Sequence, residues 1–70
     1  MSVYRIEKRV VIWVIQVKVG FNWMDVDHDG VPCLYYGHIY DSYDSAFYRM
    51  TELIEDEDRR KELKRKEGIK

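Results

Sequence analysis

The sequence predicts an α+β fold, a three-stranded antiparallel β-meander packed against one long C-terminal α-helix. Three observations predict it. Residues Tyr4 to Val26 are dense in Val, Ile, Trp and Tyr, the β-branched and aromatic set that suits a pleated, half-buried surface. Turn chemistry at Gly20 and at Asp29-Gly30 divides residues 3–40 into strands. From Tyr43 onward the apolar spacing changes to that of a helix.

The first strand is expected to run from Tyr4 to Val19. Towards its end Gln16 and Lys18 share one parity while Ile15, Val17 and Val19 share the other, the period of two that marks a strand. Gly20 can take positive φ and places a hairpin near Val19-Gly20-Phe21. A second strand is expected from Phe21 to Val26, ending at Asp27-His28-Asp29-Gly30, and a third from Val31 to Tyr40. Pro32 cannot donate a ladder hydrogen bond and belongs at that strand's start or on an edge.

Ser42 is a suitable N-cap for a helix over residues 43–66. Tyr43, Ala46, Phe47, Met50, Leu53 and Ile54 then fall on one helical stripe, which packs on the sheet. Beyond Ile54 the pairs Glu55/Arg59, Asp56/Arg60, Glu57/Lys61 and Glu62/Lys66 stand at i,i+4 with the acid first, an arrangement that supports a solvated helix. Such a helix is roughly 36 Å long, so its last turns overhang the sheet. Residues 67–70 are expected to fray. The whole of 1–70 reads as a single domain, with its sheet in 3–40.

A 70-residue chain rarely draws more than about 3–5 kcal/mol from its own core without a disulfide, a metal or a partner. Cys33 is the single cysteine, so no disulfide forms within one chain, and a lone thiol fits a reducing, cytoplasmic setting. The N-terminal residues lack the pattern of a secretory leader, so export by that route is not expected. The apolar run Val10–Ile15 is far shorter than the roughly 18 residues a membrane span needs.

The net charge of -1 conceals an uneven distribution. Residues 1–18 sum to +3, residues 19–48 hold five Asp and no Lys or Arg, and residues 49–70 sum to +1. A nucleic-acid binder concentrates basic charge on its binding face, and the middle of this chain does the reverse. Arg5, Lys8, Arg9, Arg59-Arg60-Lys61 and Lys64-Arg65-Lys66 are the places that could welcome a phosphate backbone. Acidic residues interleaved through 55–62 make a salt-laced helix surface the plainer reading of the C-terminal cluster.

Catalytic and metal signatures are weak. Asp25-Val26-Asp27-His28-Asp29-Gly30 matches the first half of an EF-hand calcium loop, but the position for the bidentate Glu holds Tyr36, and the flanks read as strands. An acidic hairpin tip explains the segment as ordinary turn chemistry. His28, His38 and Cys33 with Asp27 or Asp29 lack metal-ligand spacing. Cys33 has no base or helix N-terminus beside it in sequence. No phosphate loop or nucleophile elbow is present. The chain is therefore expected to be non-enzymatic, with no catalytic, cofactor-binding or metal-ligating residues and no cofactor.

The feature that demands explanation is a strand apolar on both parities. Val10, Ile12 and Val14 lie on one, with Val11, Trp13, Ile15, Val17 and Val19 on the other. The expected third strand repeats this with Leu34, Tyr36 and Tyr40 against Cys33, Tyr35 and Ile39. One helix covers one face, and large apolar patches are uncommon on monomers. The uncovered face is expected to be a protein interface, either a homodimer through sheet faces or edges or a hetero-complex, with Trp13, Trp23, Tyr35, Tyr36 and Tyr40 as interaction residues. A sheet curled around a bulge is the alternative.

The junction Ile39-Tyr40-Asp41-Ser42-Tyr43-Asp44-Ser45-Ala46 resembles an aromatic-Asp-Ser/Thr-x-x-x-Ala strand-to-helix join found in small ββ(β)α proteins of phages and bacteria. It is similar in layout, over residues 10 to 54, to the arm-type DNA-binding domains of tyrosine integrases. Those domains put a basic and polar sheet face into the DNA major groove. The expected second and third strands here contain no Lys or Arg, so the DNA-binding role does not transfer. The likeness to small phage proteins with Trp-rich strands implies an accessory protein that binds or inhibits a host or viral protein. Two further classes stay open, a nucleic-acid-binding accessory protein and an oligomer that sequesters a small ligand or nucleotide between protomers.

Overall fold

The computed structural model describes residues 2–68, with residues 62–68 described by backbone alone. It shows a three-stranded antiparallel sheet in the order β1-β2-β3 and one C-terminal helix. The strands are β1 (Tyr4–Arg9), β2 (Ile12–Val19) and β3 (Asn22–Asp25), and the helix is α1 (Tyr43–Gly68). The fold class matches the expectation, but two strands lie elsewhere in the chain.

The expected first strand, Tyr4 to Val19, is two strands folded back on each other at Val10-Val11. Register pairs Tyr4 with Val17, Ile6 with Ile15 and Arg9 with Ile12. Val10 takes φ 52° to make the reversal, a left-handed conformation that β-branched residues rarely adopt. No Gly, Pro, Asn or Asp announces this turn, and an unbroken apolar run hides it. The next reversal occurs where expected, with Gly20 at φ 64° and Val19 paired to Asn22.

The expected third strand, Val31 to Tyr40, is a loop held by two isolated bridges, Val26 with Pro32 and Trp13 with Tyr40. Asp27 N–H donates to Val31 and Cys33 N–H to the Asp25 carbonyl, so Pro32 sits where no N–H is needed. The chain then crosses back. His38 N–H donates to Val26, and Tyr40 exchanges both backbone bonds with Trp13 at 2.8 and 2.9 Å. Tyr40 thus continues, beside β2, the edge that β3 vacates after Val26. At Gly37 the approach is so close that a Cβ would collide with the Val26 carbonyl oxygen and the Asp25 side chain.

The helix covers the face carrying Trp13, Ile15 and Val17. Ile15, Val17, Val26, Tyr40, Ala46 and Leu53 form the core, flanked by Tyr4, Ile6, Trp13 and Met50. Ser42 caps the helix as expected, its Oγ accepting from the Ser45 N–H. Of the expected stripe, Ala46 and Leu53 are buried, whereas Tyr43, Phe47 and Ile54 remain exposed on one flank. The expected i,i+4 pairs Glu55/Arg59, Asp56/Arg60 and Glu57/Lys61 do not form. Arg59 meets Asp56 instead, and Glu57 accepts from the Ser2 N–H and the Tyr4 hydroxyl. Glu62/Lys66 lies outside the described side chains. The helix runs to Gly68, and Ile69 and Lys70 of the expected frayed end lie outside the described residues.

Candidate interaction surface

The sheet face opposite the helix is polar. Arg9, at the end of β1, donates twice to the Asp25 carboxylate and once to Glu7. Gln16 Nε2 donates to Asp25 at 2.9 Å, and Arg5 Nε donates to Gln16 Oε1 at 2.7 Å. The Arg5 guanidinium lies 4.2 Å from the centre of the Trp23 ring, a cation–π distance. Burial alone would raise the pKa of Asp25, but the bonds from Arg9 and Gln16 outweigh it and hold the carboxyl below its usual range. The same bond from Asp25 raises the pKa of Arg9.

This arrangement corrects the expectation of a two-sided apolar strand. Val10 and Val11 belong to a turn, Val14 is buried, and beside Ile12 and Trp23 the remaining neighbours on that face are charged or amide side chains. The unusual apolar exposure lies elsewhere, in the loop, at the hairpin tips and on the helix flank.

Loop residues Leu34, Tyr35 and Tyr36 are 84–86 % exposed. The segment carrying them is tied at one end through Val31 and Cys33 and at the other through His38 and Tyr40, so a fixed base presents three adjacent apolar side chains. Tyr35 and Tyr36, both expected interaction residues, are brought together here. Leu34 completes the group, and its signal in the sequence was three consecutive large apolar residues just past a Pro.

The other expected interaction residues are dispersed. Tyr40 is buried, and its hydroxyl finds no hydrogen-bond partner among the described residues. Burial raises its pKa, with Asp27 and Glu52 adding to the rise against Arg49. Trp13 is half-buried and meets Tyr43 edge-on at 5.3 Å, while Tyr43 stacks on Phe47 at 6.0 Å. Trp23 lies on the opposite, polar face. The five residues do not form one patch.

The acidic segment is consumed by local structure. Asp25 faces Arg9, and Asp27 Oδ1 accepts from the N–H groups of Asp29 and Val31 at 2.9 Å each, closing the turn with Gly30 at φ 86°. Among the described residues no three of His, Cys, Asp or Glu converge as metal ligands. His28 and His38 do approach, with ring centres 5.1 Å apart, beside a shallow cleft of about 400 Å³ lined in part by His28, Tyr40, Asp44 and Arg49. Arg49 there is engaged by the His28 carbonyl oxygen and by Glu52. Cys33 is half-buried and its thiol donates to the Val31 carbonyl oxygen. No helix among the described residues is long and apolar enough to cross a membrane.

No protein-family model matches this chain, and comparison with curated proteins and with solved structures returns no match.

Proposed function

We propose that this chain is a non-catalytic, self-associating protein-interaction module that binds, and by binding inhibits, a partner protein through Leu34-Tyr35-Tyr36. The phage-accessory role implied by its strand-to-helix junction fits this reading. The carrying observation is the exposure of those three residues on a loop anchored at both ends by backbone hydrogen bonds. Tyrosine supplies large, stiff, amphipathic contact area at low entropic cost, and a loop already held in place loses less freedom on binding. The basic residues of β1 favour a nucleic-acid partner less, because Arg9 is bound to Asp25 and Arg5 to Gln16.

The test compares the wild-type chain with the triple variant Leu34→Ser, Tyr35→Ser, Tyr36→Ser. A protein captured by the first and not by the second is purified and titrated calorimetrically against both. The expected result is saturable binding that weakens at least about 100-fold in the variant, with the thermal midpoint of folding unchanged. Binding indifferent to the three substitutions, or binding only to nucleic acid with steep salt dependence, overturns the reading.

A further inference from the structure

The outer edge of β1 is open. Lys18 N–H donates to the Val3 carbonyl oxygen, which makes Val3 and Lys18 a hydrogen-bonded pair. By alternation Arg5, Glu7 and Arg9 also turn their backbone groups towards β2. The N–H and C=O groups of Tyr4, Ile6 and Lys8 therefore point outward, and among the described residues no further strand lies beside β1. Natural edges are blunted by charged side chains, a proline, a bulge or a covering segment, and of these β1 carries the charges, Arg5, Glu7, Lys8 and Arg9, which admit a second strand only in a register that opposes unlike signs. β1 contains no proline, and its pairing to β2 runs without a break.

The helix leaves an apolar flank above the same edge. Arg49 and Leu53 turn towards residues 28–30, where Arg49 bonds the His28 carbonyl oxygen and Leu53 abuts Gly30. Glu57, one turn on and about 40° further round, faces the same cleft as Leu53 and Gly30 and meets Ser2 and Tyr4 at its β1 side. At 3.6 residues per turn, Tyr43, Ile54 and Phe47 lie further round on the Glu57 side, and all three are exposed. An unpaired strand edge and an unpartnered helix flank therefore share one side of the molecule.

We infer that β1 pairs antiparallel with β1 of a second copy, centred on Ile6 opposite Ile6, to make a continuous six-stranded sheet with both helices on one face. The inference rests on the self-association proposed above and adds the surface and the register. Charge selects that register. Centred on Ile6, Arg5 stands opposite Glu7 of the second copy, twice by symmetry, and Tyr4 stands opposite Lys8. Centred on Glu7, two Glu7 side chains meet, and Arg5 faces Arg9 of the second copy. Directly opposed like charges destabilise a strand pair and opposite charges stabilise it. With strands about 4.8 Å apart, helices seated over β1 and β2 lie about 10–15 Å from each other, a gap that Tyr43, Phe47 and Ile54 of each copy fill.

Light scattering across a dilution series tests this with the full chain, its Glu7→Arg variant, the double variant Arg5→Glu/Glu7→Arg, and Lys8→Pro. The expected result is a wild-type dimer whose dissociation constant rises at least about tenfold in Glu7→Arg. The double variant should recover to within about threefold of wild type, because the charges again oppose. Lys8→Pro removes an outward N–H that β2 does not use and should leave a folded monomer. A wild-type dimer unaffected by Glu7→Arg and Lys8→Pro overturns the β1 surface while sparing self-association. Loss in Glu7→Arg without recovery in the double variant, with folding intact by circular dichroism, overturns the register. A wild-type monomer at every concentration overturns both.

Discussion

Arg9 reaches across β2 to hold Asp25, with Nη1 2.7 Å from Oδ2 and Nη2 2.8 Å from Oδ1, so that a residue of one outer strand is fastened to a residue of the other. Asp25 is only 6 % exposed, and Gln16 lies between the two strands as a third partner. A two-pronged guanidinium–carboxylate contact is among the stronger polar interactions a protein makes. The Arg9 side chain is 39 % exposed, so water screens the pair in part and would hydrate the guanidinium if the carboxylate were lost.

Asp25→Asn is expected to destabilise the fold by about 1–2 kcal/mol, read by urea denaturation. The pH dependence follows from the lowered carboxyl pKa. The contribution is complete above the ordinary carboxylate pKa of about 4 and is lost as pH falls through the depressed folded value. The acid limb of the stability curve should flatten in the Asn variant. An unchanged acid limb would show that the pair adds nothing to stability.

Val10 is 90 % exposed and holds φ 52°, so it gives up little burial while carrying a left-handed conformation that costs an L-residue about 1–2 kcal/mol. Val10→Gly relieves that strain at the cost of a more flexible unfolded chain. The net expectation is a gain of about 0.5–1 kcal/mol, seen as a thermal midpoint about 3–6 °C higher. A lower midpoint would mean that the valine side chain is itself engaged, as in a dimer contact at the hairpin tip.

Tyr40 carries a buried hydroxyl with no partner among the described residues, and an unpaired buried polar group costs about 1–3 kcal/mol. Tyr40→Phe keeps the ring against His38, where the centres lie 4.7 Å apart, and removes only the hydroxyl. Stability should rise by about 1 kcal/mol or stay level. A loss of that size would instead reveal a hydrogen bond made by the hydroxyl in solution.

Much of the architecture was legible from local chemistry. The Gly20 reversal, the Asp27–Gly30 turn, the Ser42 cap and the helix from Tyr43 each follow from residues whose own conformational preferences specify the structure. The sequence by itself therefore determined the fold class, the helix start and two of the chain reversals. It also placed Tyr35 and Tyr36 among the candidate contact residues.

Tertiary structure alone decided the rest. The Val10-Val11 turn opposes local preference and exists because Tyr4 and Ile6 gain core positions opposite Val17 and Ile15 once β1 folds back. Residues 31–39 have strand-like composition but form a loop, because Tyr40, not Val31–Ile39, takes the place beside Trp13. Asp25 looked like part of an acidic turn and became the partner of Arg9, sixteen residues away in sequence. Local propensity is set by a few neighbouring residues, whereas burial, edge pairing and ion pairing depend on which distant residues arrive beside them.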